Sequence, residues 1–282
     1  MVAGKIVLAL LIAVVIAIVF NGVALSLMLL TGTIAETELI DPFAVSPTMT
    51  TVLTIIQSLA FIVATLVMVA IFDRRGHWEL GWRASYRLLE TVKGMLIGII
   101  LISIVFVIVW LLGGLKIVDF QWNTEIISSL ALSVLLFGSV AVSEELFSRG
   151  YVQGLVKHYF GPVAALFVSS LLFALLHSLN PGVFSSPLPV INLFLAGLLL
   201  AVCRELSGSL WLPIGFHFTW NLLQGNVYGF PVSGMPLESV IVQHTAGSIV
   251  VSGGSFGAEG SIVTTIVLLA GIYFIYYLYR KK

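Results

Sequence analysis

The sequence predicts an all-α fold, a polytopic membrane helix bundle, on three observations. The 282 residues are 59% hydrophobic and only 9% charged, against roughly 25% charged residues in an average soluble domain. Apolar runs long enough to cross a bilayer recur along the whole chain, and charges collect in the short connections between them. A water-soluble fold is thereby excluded. A formal net charge of zero gives no reason to expect nucleic acid as a partner, so membrane lipids are the expected surroundings.

The runs fall at about residues 6–30, 50–72, 92–114, 126–147, 162–179, 190–203, 209–226 and 261–279. They predict about eight transmembrane helices in one integral membrane domain spanning 1–282. The first run is too long for the apolar core of a signal peptide and is read as a retained span. The fourth continues into the polar stretch that holds Glu144 and Glu145. Gly161-Pro162 is a turn signal that separates it from the fifth. The sixth is short. The seventh follows a second turn at Ser207-Gly208-Ser209, and the last ends in Arg280-Lys281-Lys282.

Threading eight crossings puts Lys5, Arg74, Arg75, Arg83, Arg87, Lys93, Arg149, Lys157, Arg204, Arg280, Lys281 and Lys282 on one side, with Lys116 alone on the other. The positive-inside rule makes the basic side cytoplasmic, with both termini there. The other side receives Glu36, Glu38 and Asp41, then a Gly- and Ser-rich stretch at 227–260 without lysine or arginine, read as an extracytoplasmic loop. A single cysteine, Cys203, excludes a disulfide or a cysteine-based metal site within one chain and reads as a small buried hydrophobe.

Charges inside a span are costly, so the few that remain there mark function. The aspartates Asp41, Asp73 and Asp119 all fall at or beyond helix ends, which argues against an intramembrane aspartyl protease. No His-Glu-x-x-His zinc motif occurs. A serine-protease pair of Ser209 and His217 would place its serine in a turn. What remains is Glu144-Glu145-Leu-Phe-Ser-Arg149. On a helix, Glu145 and Arg149 share a face and can pair, while Glu144 points about 100° away and stays outside that pair. Two adjacent carboxylates thus gain different environments; the bland reading is a solvated helix end.

Depth supplies a further test. Glu144 lies 17 residues before Gly161 and His177 lies 16 after it, so an antiparallel hairpin brings them level, roughly 25 Å from the turn. His217 and Asn221 are one helical turn apart on one face, with His217 roughly 12 Å from the Ser207–Ser209 turn. Glu, His, His and Asn from separate segments are therefore expected at one level, in the cytoplasmic half of the bilayer. A structural polar network between helices is the competing account.

Taken together, Glu144-Glu145-x-x-x-Arg149, Phe173-x-x-x-His177 and His217-x-x-x-Asn221 resemble the three motifs of the CAAX protease and bacteriocin-processing family, which includes the type II CAAX prenyl endopeptidases. The resemblance covers about residues 70–226, the expected catalytic core; Ser148 stands where relatives often carry an aromatic residue. It implies an intramembrane endopeptidase acting on membrane-associated substrates, including prenylated CAAX-type proteins. In that scheme Glu144, assisted by His177, activates a water, Glu145 and Arg149 hold the helix, and His217 and Asn221 donate to the oxyanion. A zinc ion held by Glu144, His177 and His217, with an open position for water, is the competing scheme. A scaffold or immunity factor of the same fold, or a proton-coupled transporter, are the readings from other classes; no paired interrupted helices, the usual mark of a transport site, are visible.

Overall fold

The computed structural model describes residues 2–32, 47–73, 80–82 and 86–280. The sequence-derived loop with Glu36, Glu38 and Asp41, and the basic residues Arg74, Arg75, Arg83, Lys281 and Lys282, lie outside the described residues. The helices are α1 (Val2–Leu30), α2 (Pro47–Phe72), α3 (Arg87–Leu111), α4 (Thr124–Glu145), α5 (Gln153–Leu176), α6 (Pro187–Ser207), α7 (Trp211–Leu222), the short α8 (Ile249–Ser252) and α9 (Ile262–Arg280). A wide π turn over Leu146–Val152 joins α4 to α5, and a second over Leu223–Val227 extends α7.

Six helices among the described residues are long and apolar enough to cross a membrane, one of them the 53-residue run Thr124–Leu176. This is fewer than the eight crossings expected. Part of the difference is the hairpin at Gly161. An unbroken helix would hold Glu144 and His177 roughly 50 Å apart, yet their side chains come within 3.9 Å. The chain reverses at Gly161, whose φ of 84° suits a residue without Cβ. The rest of the difference is α7, only 12 residues long before its π turn. Outward side chains such as Val15, Ile18, Leu135 and Ile266 are apolar and exposed, as lipid-facing positions require.

Helix contacts inside a bilayer depend on close approach rather than on a hydrophobic drive. The α3–α7 crossing shows this. A Cβ on Gly94 would sit 2.0 Å from the Leu212 carbonyl oxygen, and one on Gly215 would sit 2.2 Å from that of Thr91. The Thr219 hydroxyl donates across the same crossing to the Met95 carbonyl at 3.0 Å. This contact fixes α7, which carries His217 and Asn221.

The bundle has two unlike ends. At one lie the Gly161 turn, the Lys5–Asp73 ion pair, Lys157 with Glu205, and Tyr279 donating to Glu90, which brings the start of α1 and the end of α9 to the same end. The other end carries an element not anticipated: a two-stranded antiparallel sheet, β1 (Leu115–Phe120) with β2 (Ile241–Thr245), in register Leu115 to Thr245. It ties the α3–α4 connection to the 227–260 segment, two stretches that the sequence assigned to one side.

Candidate active site

The buried charges centre on Glu145. Its Oε1 accepts from Arg149 Nη1 at 3.1 Å and from His217 Nδ1 at 3.0 Å, and the Glu145 and Arg149 side chains are wholly excluded from solvent. Arg149 also donates from Nη2 to the Gly197 carbonyl at 3.0 Å, at mid-length of α6, and its guanidinium lies 4.3 Å over the Phe173 ring. The pairing expected between Glu145 and Arg149 is therefore present. One correction is needed: the sequence counted Arg149 among the charges of the basic face, and it is instead enclosed in the bundle. The π turn that follows Glu145, with Gln153 N–H bonded to Ser148 O, was not legible in the sequence; such turns recur at functional sites.

Glu144 lies elsewhere. Its side chain is 30% exposed and faces His177 Nε2 at 3.9 Å. His177 caps the end of α5 and holds its Nδ1 at 2.8 Å from the Phe173 carbonyl. A carbonyl only accepts, so Nδ1 carries a hydrogen, and whenever the ring is neutral it is Nε2 that holds the lone pair toward Glu144. Phe173 thereby serves three groups, fixing the His177 tautomer, covering Arg149 and meeting the His217 ring edge-on at 5.9 Å. For His217 the Nδ1 hydrogen is committed to Glu145, so only Nε2 faces the cavity. Asn221, one turn along α7, also lines it.

That cavity has a volume of about 1110 Å³ and is bordered by Glu144, His177, His217 and Asn221. It also takes in Glu259, which the sequence reading passed over. Glu259 is held in a turn before α9. Its Oε2 accepts from Ser233 N at 2.6 Å and from Gln224 Nε2 at 3.3 Å, and Ser233 Oγ donates to both of its oxygens. Ser233 adopts a left-handed conformation at φ 49° to do so, a strain that is tolerated where surrounding contacts over-determine it. Burial pushes the Glu259 carboxyl above the usual carboxylate range, against the opposing pull of His177 and of the donors from Ser233 and Gln224. The one available signal was a carboxylate in a stretch otherwise free of charge from Ser239 to Thr265.

For a metal the geometry does not fit. Among the described residues no three His, Cys, Asp or Glu side chains converge to hold an ion. No catalytic step is therefore routed through zinc.

One comparison with known proteins gives a match. Residues 126–223 match the family model described as type II CAAX prenyl endopeptidase Rce1-like. This part of the chain is similar to that family. The matched stretch contains all six motif residues and lies within the wider resemblance at 70–226. No curated protein and no solved structure gives a significant match. The family is one of peptidases embedded in membranes, which fits a chain with several apolar spanning helices.

Proposed function

We propose that the chain is an intramembrane endopeptidase that hydrolyses peptide bonds of membrane-associated polypeptides with a glutamate-activated water. The observation that carries this is the Glu144–His177 pair at the wall of the cavity. Their 3.9 Å separation is beyond a direct hydrogen bond and lets one water contact both groups. Glu144 takes a proton from that water as its oxygen bonds to the carbonyl carbon. The proton then passes through His177 Nε2 to the amine nitrogen as the C–N bond breaks.

Glu145 and Arg149 act as positioning residues that hold the π turn and the His217 ring. His217 Nε2 can donate to the oxyanion only as imidazolium, with Glu145 as its counter-ion; the Asn221 amide can donate without any change of charge. On this reading the catalytic core spans 70–226 within a single domain, in a multi-pass cell-membrane protein with both termini cytoplasmic. A prenylated CAAX-type protein is one candidate substrate, in keeping with the family.

The test is cleavage of a peptide library by the purified protein in detergent, with and without a chelator. Activity that survives the chelator and vanishes in Glu144→Gln is expected. Full activity of Glu144→Gln on a verified substrate contradicts the proposal. Stoichiometric zinc that His177→Ala or His217→Ala releases would replace the metal-free scheme and leave the peptidase standing.

A further inference from the structure

Glu259, Ser233 and Gln224 all fall past residue 223, where the family match ends, yet they are built into the frame that holds His177. The Glu259 backbone is tied to α6: Asn192 Nδ2 donates to the carbonyls of Glu259 and Ser261 at 2.7 and 2.8 Å, and Asn192 Oδ1 accepts from Thr265 Oγ1 at 2.7 Å. The Glu259 carboxyl is tied to the 231–235 loop through Ser233 and Gln224, and Gln224 Nε2 also donates to the Pro231 carbonyl at 2.8 Å. That loop is pressed on the turn that follows His177. A Cβ on Gly234 would sit 2.1 Å from the Pro181 carbonyl oxygen, and Asn180 N–H closes the same turn on the His177 carbonyl at 3.0 Å. Glu259 and His177 are therefore set on one continuous frame, and both border the cavity.

This frame holds a carboxyl group where an apolar side chain would pack at lower cost. Burying the carboxyl and bending Ser233 into the left-handed region both oppose folding. Every hydrogen bond that Glu259 makes through its side chain is accepted: Ser233 N–H, Ser233 O–H and Gln224 N–H all donate to it, the arrangement that favours the charged form. The titratable groups that border the cavity are Glu144 on α4, His177, His217 on α7, Glu238 and Glu259, with no lysine or arginine among the described residues. Arg149 is already committed to Glu145 and to the Gly197 carbonyl. Among the described residues it is His177 whose charge acts on Glu259.

We infer that Glu259 is a positioning residue of the hydrolytic site, a second carboxylate beside His177 that holds the imidazolium formed while the water proton is in transit. This rests on the peptidase reading. Glu144 takes the proton from the water and passes it to His177 Nε2, and the ring carries it until the amine nitrogen takes it as the C–N bond breaks. Glu259 neither gains nor loses a proton in these steps. A carboxylate that backs a catalytic imidazole is worth about 10⁴ in rate where it also sets the tautomer. Here the Phe173 carbonyl sets the tautomer. Only the charge is left to Glu259, which makes the expected contribution smaller, about 10–10² in kcat.

The isosteric change Glu259→Gln separates charge from scaffold. Its amide oxygen can still accept from Ser233 N–H and Gln224 N–H, and its amide N–H can donate to the Ser233 hydroxyl, so the loop keeps its anchor and the charge alone is lost. With the full chain in detergent and one cleaved peptide, kcat should fall about 10–10²-fold with KM unchanged, and Glu259→Asp, which keeps a charge, should recover part of the loss. A second readout needs no cleavage. Diethylpyrocarbonate acylates a neutral imidazole at its free nitrogen, here His177 Nε2, and mass spectrometry of the His177 peptide gives the rate at one pH in the ordinary imidazole range. Without its counter-charge the ring is neutral for more of the time, so Glu259→Gln should react about threefold faster or more. Glu205→Gln, whose carboxylate pairs with Lys157 at the Gly161 end, should react at the wild-type rate. Wild-type kcat or a wild-type acylation rate in Glu259→Gln overturns the inference, as does a Glu259→Asp protein no more active than Glu259→Gln. A wild-type protein that cleaves no peptide defeats the peptidase reading, and the acylation rates then decide the charge pairing alone.

Discussion

Glu144 and Glu145 are neighbours in the chain and opposites in surroundings. Glu145 is sealed, with one oxygen shared by Arg149 and His217. Glu144 stands at a cavity wall, part exposed, facing an imidazole nitrogen that it does not bond. The difference follows from helical geometry, since consecutive residues point about 100° apart and only one can reach a partner four positions on. A paired and enclosed carboxylate is suited to holding structure; an unpaired one beside a tautomer-fixed histidine is suited to moving a proton.

If that contrast is right, the largest effect belongs to the cavity pair. Glu144→Ala or His177→Ala alone should abolish cleavage, and the double variant should lose little more, because residues acting on one step are strongly non-additive. Kinetics of the three variants on one peptide would show this; multiplicative losses would separate the two residues. Next comes Arg149→Ala, which leaves the Glu145 charge enclosed without its cation and should cost about 3–5 kcal/mol of stability, read as a lower thermal midpoint in detergent. Asn221→Ala is milder, a loss of about 10²–10³ in rate through one missing oxyanion donor, with the thermal midpoint kept.

The smallest effect concerns Glu259. Its carboxyl is held above the ordinary carboxylate range by burial, so the folded protein binds a proton there that the unfolded chain has already released. Stability should therefore fall as pH rises from the ordinary carboxylate range up to the elevated folded value, then level off. Glu259→Gln should flatten that slope in thermal scans across pH. An unchanged slope would place the titration elsewhere.

Much of this was legible before any coordinates, and the reason differs from residue to residue. The Glu145–Arg149 pair is a local matter of four-residue spacing. Glu144 and His177 could be brought level by counting outward from Gly161, because helical rise is constant and the turn is marked by glycine and proline. The π turns were not legible, since a widened turn is chosen by the packing around it and leaves no periodic trace. The β1–β2 sheet joins strands 126 positions apart by the spacing of Leu115 and Ile241, in connections that carry no hydrophobic run. Glu259 was hidden for the same reason: its partners Ser233 and Gln224 lie 26 and 35 residues away. The count of eight crossings is not confirmed at α7, whose apolar composition suggests a full span although its α-helical part is 12 residues long.

The division between the two carboxylates is tested most directly by preparing Glu144→Gln and Glu145→Gln side by side and measuring, on the same samples, thermal midpoint in detergent and cleavage of one peptide. Glu144→Gln should keep the wild-type midpoint with no detectable cleavage, while Glu145→Gln should melt at a clearly lower temperature. A Glu144→Gln protein that cleaves normally, or that melts lower than Glu145→Gln, would contradict it.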